Sequence, residues 1–143
     1  MRAFLLPLLL LTACSQTVPA TSSAPETLDE ARARWAAADL DDYRMTLTRS
    51  CFCPEYYRGP FEVAVDDGEV TAVGFQGREL PADRVLTVDA LFDLLAEAYA
   101  SGAARVEVTY DATLGYPTSL YIDQDEQMAD EEVGYTVEGL SAE

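Results

Sequence analysis

Cys51 and Cys53 stand one residue apart and are the first side chains in this chain whose type and spacing could do chemistry. In an oxidising compartment such a pair closes a disulfide, and if strained it is a reducible one. As thiolates the same two sulfurs would hold a soft ion, copper(I) or zinc(II), with Met45 on the same strand face as the third ligand for copper. Residues two apart on an ideal strand lie about 6.5–7 Å apart at Cα, the upper edge of bridging range, so a bridge needs a local kink. Pro54 is placed to end the strand there. Redox catalysts generally carry Cys-x-x-Cys at a helix start, which this is not.

The second candidate set is acidic: Asp123, Asp125, Asp130 and Glu131, a possible calcium site. Asp123, Asp125 and Gln127 imitate the first, third and fifth ligands of an EF-hand loop. Met128 then stands where glycine is needed and Gly134 where the bidentate glutamate belongs, so an EF-hand is excluded and only a looser site survives. The simpler role is a solvated loop that keeps a strand edge from pairing with neighbours. Asp111 and Asp123 close neighbouring strands, a pairing that could serve glycoside hydrolysis if the two met, although so small a domain has little room for a sugar. Tyr56, Tyr57 and Tyr116 are candidates for an exposed interface, since tyrosine beside arginine is favoured there.

Composition narrows the chemistry. The 143 residues contain no histidine, lysine or asparagine. That removes Ser-His and Cys-His nucleophile pairs, Schiff-base lysines and phosphate-binding P-loops. No catalytic constellation remains, so the expectation is a non-enzyme without a cofactor, with copper, zinc and calcium as the alternatives. A net charge of −17 repels nucleic acid and anionic lipid.

The placement of the protein is written at its start. Arg2, the apolar run Phe4 to Leu11 and then Leu11-Thr12-Ala13-Cys14 read as a signal peptide ending in a lipobox. Residues 1–13 would be removed and Cys14 acylated, which fastens the chain to a membrane. The apolar run is too short to span a bilayer, which takes roughly 20 residues. Ser15 follows in place of an aspartate, which favours the outer membrane if the host is Gram-negative. Residues 14–26, rich in serine, threonine, alanine and proline, form a flexible tether, and 27–143 a single domain.

The elements follow from pattern. Thr27-Leu28-Asp29-Glu30 is a capping box that opens a helix with Leu28, Ala31, Trp35 and Ala38 on one face. Tyr43 to Cys51 alternates as a half-buried strand, with Tyr43, Met45 and Leu47 inward. Phe61 to Asp66 and Glu69 to Phe75 flank Asp67-Gly68, a type I′ hairpin signal. That register puts Phe61, Val63, Val65, Val70 and Ala72 on one face. Residues 76–86 read as a loop. A second helix starts at Thr87 and ends at Gly102, with Val88, Leu91, Phe92, Leu95 and Ala98 as its stripe. Three strands finish the chain, burying Val106, Val108 and Tyr110, then Leu120 and Ile122, then Val133, Tyr135 and Val137. The order α-βββ-α-βββ predicts an α+β domain, an antiparallel sheet with two helices on one face.

This ordered set resembles the bacterial lipoprotein family catalogued as domain of unknown function 6174. The residues that carry the likeness are Trp35, Tyr43, Cys51-Phe52-Cys53, Asp67-Gly68, Thr87-Val88-Asp89, Leu91-Phe92, Tyr110-Asp111, Gly115-Tyr116-Pro117, Ile122-Asp123, Asp130-Glu131-Glu132 and Tyr135. The resemblance implies an exported, usually lipid-anchored domain and brings no catalytic residues. The expected function is a non-enzymatic binding module of the cell envelope, anchored through Cys14 and meeting an envelope protein. The alternative is a metal- or redox-handling lipoprotein that uses Cys51 and Cys53.

Overall fold

The computed structural model describes Pro25 and residues 27–143. Cys14, the expected signal and most of the expected tether lie outside the described residues. Helix α1 spans Leu28–Ala38 and opens on the capping box: the Thr27 side chain accepts from the Glu30 amide, and Glu30 reaches back to the Thr27 amide. It ends on Asp39 in the left-handed region. Helix α2 spans Val88–Ser101, with Thr87 accepting from the Ala90 amide and left-handed Gly102 closing the other end.

The strands are β1 Tyr43–Cys51, β2 Phe61–Asp66, β3 Glu69–Phe75, β4 Arg78–Glu79, β5 Arg105–Tyr110, β6 Pro117–Asp123 and β7 Val133–Ala142. They form one antiparallel seven-stranded sheet in the order β4-β3-β2-β1-β7-β6-β5. Two meanders thus meet along β1 and β7. The stripes of both helices and the inward residues of the sheet fill one core, in which Trp35, Tyr43, Leu47, Phe61, Leu91, Phe92, Leu95 and Ile122 are buried. Tyr43 reaches across it. Its hydroxyl oxygen accepts from the Val88 amide at 3.0 Å, satisfying an orphan donor at the start of α2. Burial pushes the Tyr43 phenol up to about 12, against the lowering effect of that amide.

Two local readings need correction. The Asp67-Gly68 turn is as expected, with φ of 50° and 73°. A bulge follows it, however: Val65 pairs with Val70 but Ala64 with Ala72. The extra residue, Thr71, flips the alternation, so Val73 is buried and Ala72 exposed. The stretch read as loop also holds β4, closed onto β3 by Gln76 and Gly77 at φ 50° and 73°.

Pairing of Cys51 with Val133 sets the main geometric fact. The loop after β1 and the acidic loop before β7 leave the same end of the sheet. Asp123 ends β6 at that end, because Ile122 also pairs with Val133. Among the described residues no helix is long and apolar enough to cross a membrane.

Candidate functional site

The loop after β1 is a compact, locally bonded corner. The Cys53 amide donates to the Cys51 carbonyl at 2.9 Å, folding three residues into a tight turn. That turn is the kink the bridge required: the Cα atoms are 5.3 Å apart and Cys51 and Cys53 are disulfide-bonded. After Pro54 comes a short 3-10 helix, Glu55–Tyr57, held by Tyr57 N–H to Pro54 O and Arg58 N–H to Glu55 O, each 2.9 Å. The Arg49 amide then donates to Arg58 O at 2.7 Å and ties the loop back onto its own strand.

This scaffold exposes aromatic surface. Phe52, between the bridged cysteines, is 79% exposed, and Tyr56 is 51% exposed. Tyr57 is half-buried and packs against Tyr56 with ring centroids 4.4 Å apart. A second short 3-10 helix, Ala82–Arg84, brings the Arg84 guanidinium 4.6 Å from the Tyr57 ring and 5.8 Å from the Tyr56 ring. A hydrogen bond between the two phenols and then the charge of Tyr57 hold Tyr56 above its ordinary pKa, while Arg84 opposes the shift. A recess of about 430 Å³ is lined by Cys51, Phe52, Cys53, Pro54 and Arg58.

Arg32, Arg44 and Arg105 are ion-paired with Asp93, Glu143 and Glu107. Among the described residues, Arg49, Arg58 and Arg84 have no carboxylate within ion-pair distance, and neither does Arg78 on β4. Arg49 lies over the Tyr135 ring at 5.7 Å, with its Nε buried and without a hydrogen-bond partner.

Residues 27–142, nearly the whole of the described domain, match a family of unknown function, DUF6174. The chain belongs to DUF6174. Comparison with curated proteins and with solved structures finds no match.

The acidic loop of this DUF6174 member is folded on itself. Glu131 Oε1 accepts from the Asp125 amide at 2.7 Å, and Asp125 Oδ1 from the Gln127 amide at 3.0 Å. Asp123 is buried, 9% exposed, with Oδ1 unpartnered. Arg105 is opposite Asp123 in register but is bonded to Glu107. Burial first, then the charge and hydrogen bond of Glu131 and the charges of Glu132 and Glu126, raise the Asp123 pKa above its ordinary value. The folded chain therefore holds this proton more tightly than the unfolded chain. The resulting stabilisation is complete below the ordinary carboxyl range and is lost as pH rises through the raised value. Asp123→Asn should raise the melting temperature at neutral pH, and the gain should vanish as pH falls to about 3. Thermal melts across that range check it; a lower melting temperature for the variant at neutral pH would contradict the assignment.

Several candidates are not where the sequence suggested. Met45 is buried opposite Val63, six residues up β1 from Cys51, or about 20 Å along an extended strand. It is no third ligand beside the bridge. Asp111 follows Tyr110, which pairs with Pro117, whereas Asp123 pairs with Arg105 at the far end of the same two strands. Antiparallel pairing thus separates the two carboxylates, and Asp111 accepts from the Thr113 and Leu114 amides as a turn residue. Tyr116 is withdrawn from the surface: it is 8% exposed and sits edge-on to Trp35 with centroids 6.3 Å apart. Asp123 and Glu131 do come together, yet among the described residues no three Asp, Glu or Cys side chains converge in a way that could hold a metal ion. Phe52, Arg58 and Arg84 were not singled out beforehand. A phenylalanine between two bridging cysteines, in the outward phase of the strand, could have been.

Proposed function

We propose that this protein is a lipid-anchored module of the bacterial cell envelope that binds a partner without catalysing a reaction on it. The contact surface is the corner built from residues 51–60 and Arg84. The observation that carries this reading is Phe52, 79% exposed on a turn closed by a disulfide. A large apolar side chain held out in water by a rigid, cross-linked loop loses little conformational freedom on binding. Tyr56, Tyr57 and Arg84 beside it are the residue types that interfaces concentrate. Anchoring rests on the lipobox at Cys14 and the polar tether behind it.

A photo-crosslinking amino acid placed at Phe52 in cells should give discrete adducts with an envelope protein. The same group at Ala33, an exposed position on α1, should not. Equal labelling from both positions would remove this corner as the site. Cys51→Ser with Cys53→Ser should cost little stability, about 1.5 kcal/mol at most, because the closed loop is so short. Denaturant melts should show that small change, while the Phe52 adducts should fall sharply as the turn loosens.

The second reading is metal or redox handling by the same cysteines. It is favoured by their position: both sulfurs belong to a half-buried pair lining an open recess. Native mass spectrometry of oxidised and reduced protein with added copper(I) separates the two. A stoichiometric adduct on the reduced form, lost in the double serine variant, would support it. A mass two hydrogens below the reduced form with no adduct in either state would count against it.

A further inference from the structure

Two edges bound the sheet, and they are unlike. β4 is two residues long with Pro81 close behind it, a short edge of the kind that resists further pairing. β5 is six residues long, with no proline and no charge on its inner phase of Val106, Val108 and Tyr110. No described segment hydrogen-bonds to its outer side. We propose that this edge receives β5 of a second copy of the chain, antiparallel about a two-fold axis at Val106, so that two sheets join into one.

The backbone decides which residues can bond outward. The Ala104 amide donates to the Gln124 carbonyl at 3.3 Å. By alternation Val106 and Val108 also turn their amides and carbonyls to β6, and Arg105 and Glu107 turn theirs away from it. The bulge after Thr109 ends that phase: the Thr109 carbonyl turns back and accepts from the Thr118 hydroxyl of β6, while its amide still faces out. With the axis at Val106, Arg105 lies opposite Glu107 of the second copy, and each can both donate and accept. The Thr109 amide then meets the outward carbonyl of Ala103. An axis at Glu107 would set two carboxylates face to face and put the Arg105 amide against the inward Thr109 carbonyl. An axis at Val108 would set Glu107 against that same carbonyl. Amides and charges therefore select one register.

The side chains agree with it on both faces. On the open face Arg105 Nε donates to Glu107 Oε1 of its own strand at 3.1 Å. Across the axis the four side chains alternate in sign, a neutral group in a chain of net charge −17. Screening at physiological salt confines repulsion between the remaining carboxylates to about 8 Å. On the inner face Val106 meets Val106 and Val108 meets Ala104, covering two valines that the free edge leaves half-buried. A strand that complements its own reverse is what a two-fold contact needs, and this favours a second copy over an unrelated strand.

The test is cysteine crosslinking of the full chain in cells treated with the oxidant diamide and read on non-reducing gels. Val106→Cys should give a species of twice the mass that collapses on reduction, since a pair facing across the axis lies within bridging distance. Val108→Cys should stay at the unmodified chain's background, because its two sulfurs would be roughly 14 Å apart along the strand. Ala104→Cys and Val108→Cys on separately tagged chains should link to each other. Adding Glu107→Arg to Val106→Cys should cut the dimer roughly tenfold, and Arg105→Glu with Glu107→Arg should restore it, since the signs again alternate. Circular dichroism melts of the purified variants separate loss of pairing from loss of fold. The proposal is overturned if Val106→Cys gives no dimer, if Val108→Cys dimerises equally, or if Val106→Cys links to a different protein. It is equally overturned if the folded charge-swapped chain fails to pair. None of these outcomes bears on the 51–60 corner, which contributes no residue to this edge.

Discussion

Replacing Trp35 with alanine should cost the domain about 3–5 kcal/mol, the range for removing a large aromatic from a packed core. The Trp35 side chain joins four parts of the fold. Trp35 is 4% exposed and comes from α1. Its ring meets Tyr43 of β1 edge-on, with centroids 5.5 Å apart and planes at 88°, and Tyr116 at 6.3 Å. Such pairs add about 0.5–1.5 kcal/mol beyond area burial. Its indole N–H points to Asp89 at 3.4 Å, on the first turn of α2. The residue thus connects helix, central strand, second helix and the turn before β6. A cavity left there cannot be filled by one neighbour without moving another. Small domains are stable by only about 5–15 kcal/mol, so the loss takes a large share. Chemical denaturation should show a lower midpoint with an unchanged slope. Trp35→Phe should recover most of the difference. A loss under about 1 kcal/mol would mean that the ring covers the sheet edge without being part of the core.

Much of this architecture can be read from the sequence because its signals are local. The caps at Thr27, Thr87 and Gly102 and the Asp67-Gly68 turn each act within four residues, and each sits where its chemistry demands. The apolar stripe of α2 is as legible, since Val88, Leu91, Phe92, Leu95 and Ala98 all end in the core. Long-range facts are not legible in this way. Nothing in the alternation of β1 or β7 says that they pair, yet that pairing joins the meanders and sets the disulfide loop beside the acidic loop. A single bulged residue, Thr71, reverses the faces of the rest of β3, and alternation cannot register an insertion of one. Gln76 at positive φ hides a two-residue strand. The candidate site divides along the same line. The Cys51–Cys53 bridge and the tyrosines of the 51–60 loop are visible as neighbours in sequence. Arg84 comes from a segment more than twenty residues later and reaches Tyr57 only through the folding of β2, β3 and β4 between them. Tyr116 failed as a surface residue for a related reason: its turn is exposed only until α1 lies on it.

That contact supports the second large effect. Gly115→Ala should destabilise the domain about as severely as loss of the Trp35 ring, although it adds a single methyl group. Gly115 has φ of +82°, which disfavours any side chain, and an added Cβ would lie 2.6 Å from the Ala31 carbonyl and 2.9 Å from Arg34 Cβ. Both neighbours belong to α1, and the first is backbone, which no rotamer change can clear. The left-handed conformation alone costs on the order of 1–2 kcal/mol for an L-residue, and the overlap adds to it because interiors do not yield. Either the helix lifts or the turn does. In both cases Tyr116 separates from Trp35 and the Arg34 bond to the Ala112 carbonyl breaks. Gly102→Ala is the informative control. It shares the positive φ, at +72°, but an added Cβ would meet nothing within 4 Å, so it carries the conformational cost alone. Denaturant midpoints should therefore fall modestly for Gly102→Ala and much further for Gly115→Ala. Equal losses would show that backbone conformation, and not the close approach of α1, is what requires glycine at this turn. A larger loss for Gly115→Ala, with amide exchange quickened across α1 while the β1–β2 hairpin stays protected, would identify α1 docked on the 111–116 turn as the less stable part of the fold.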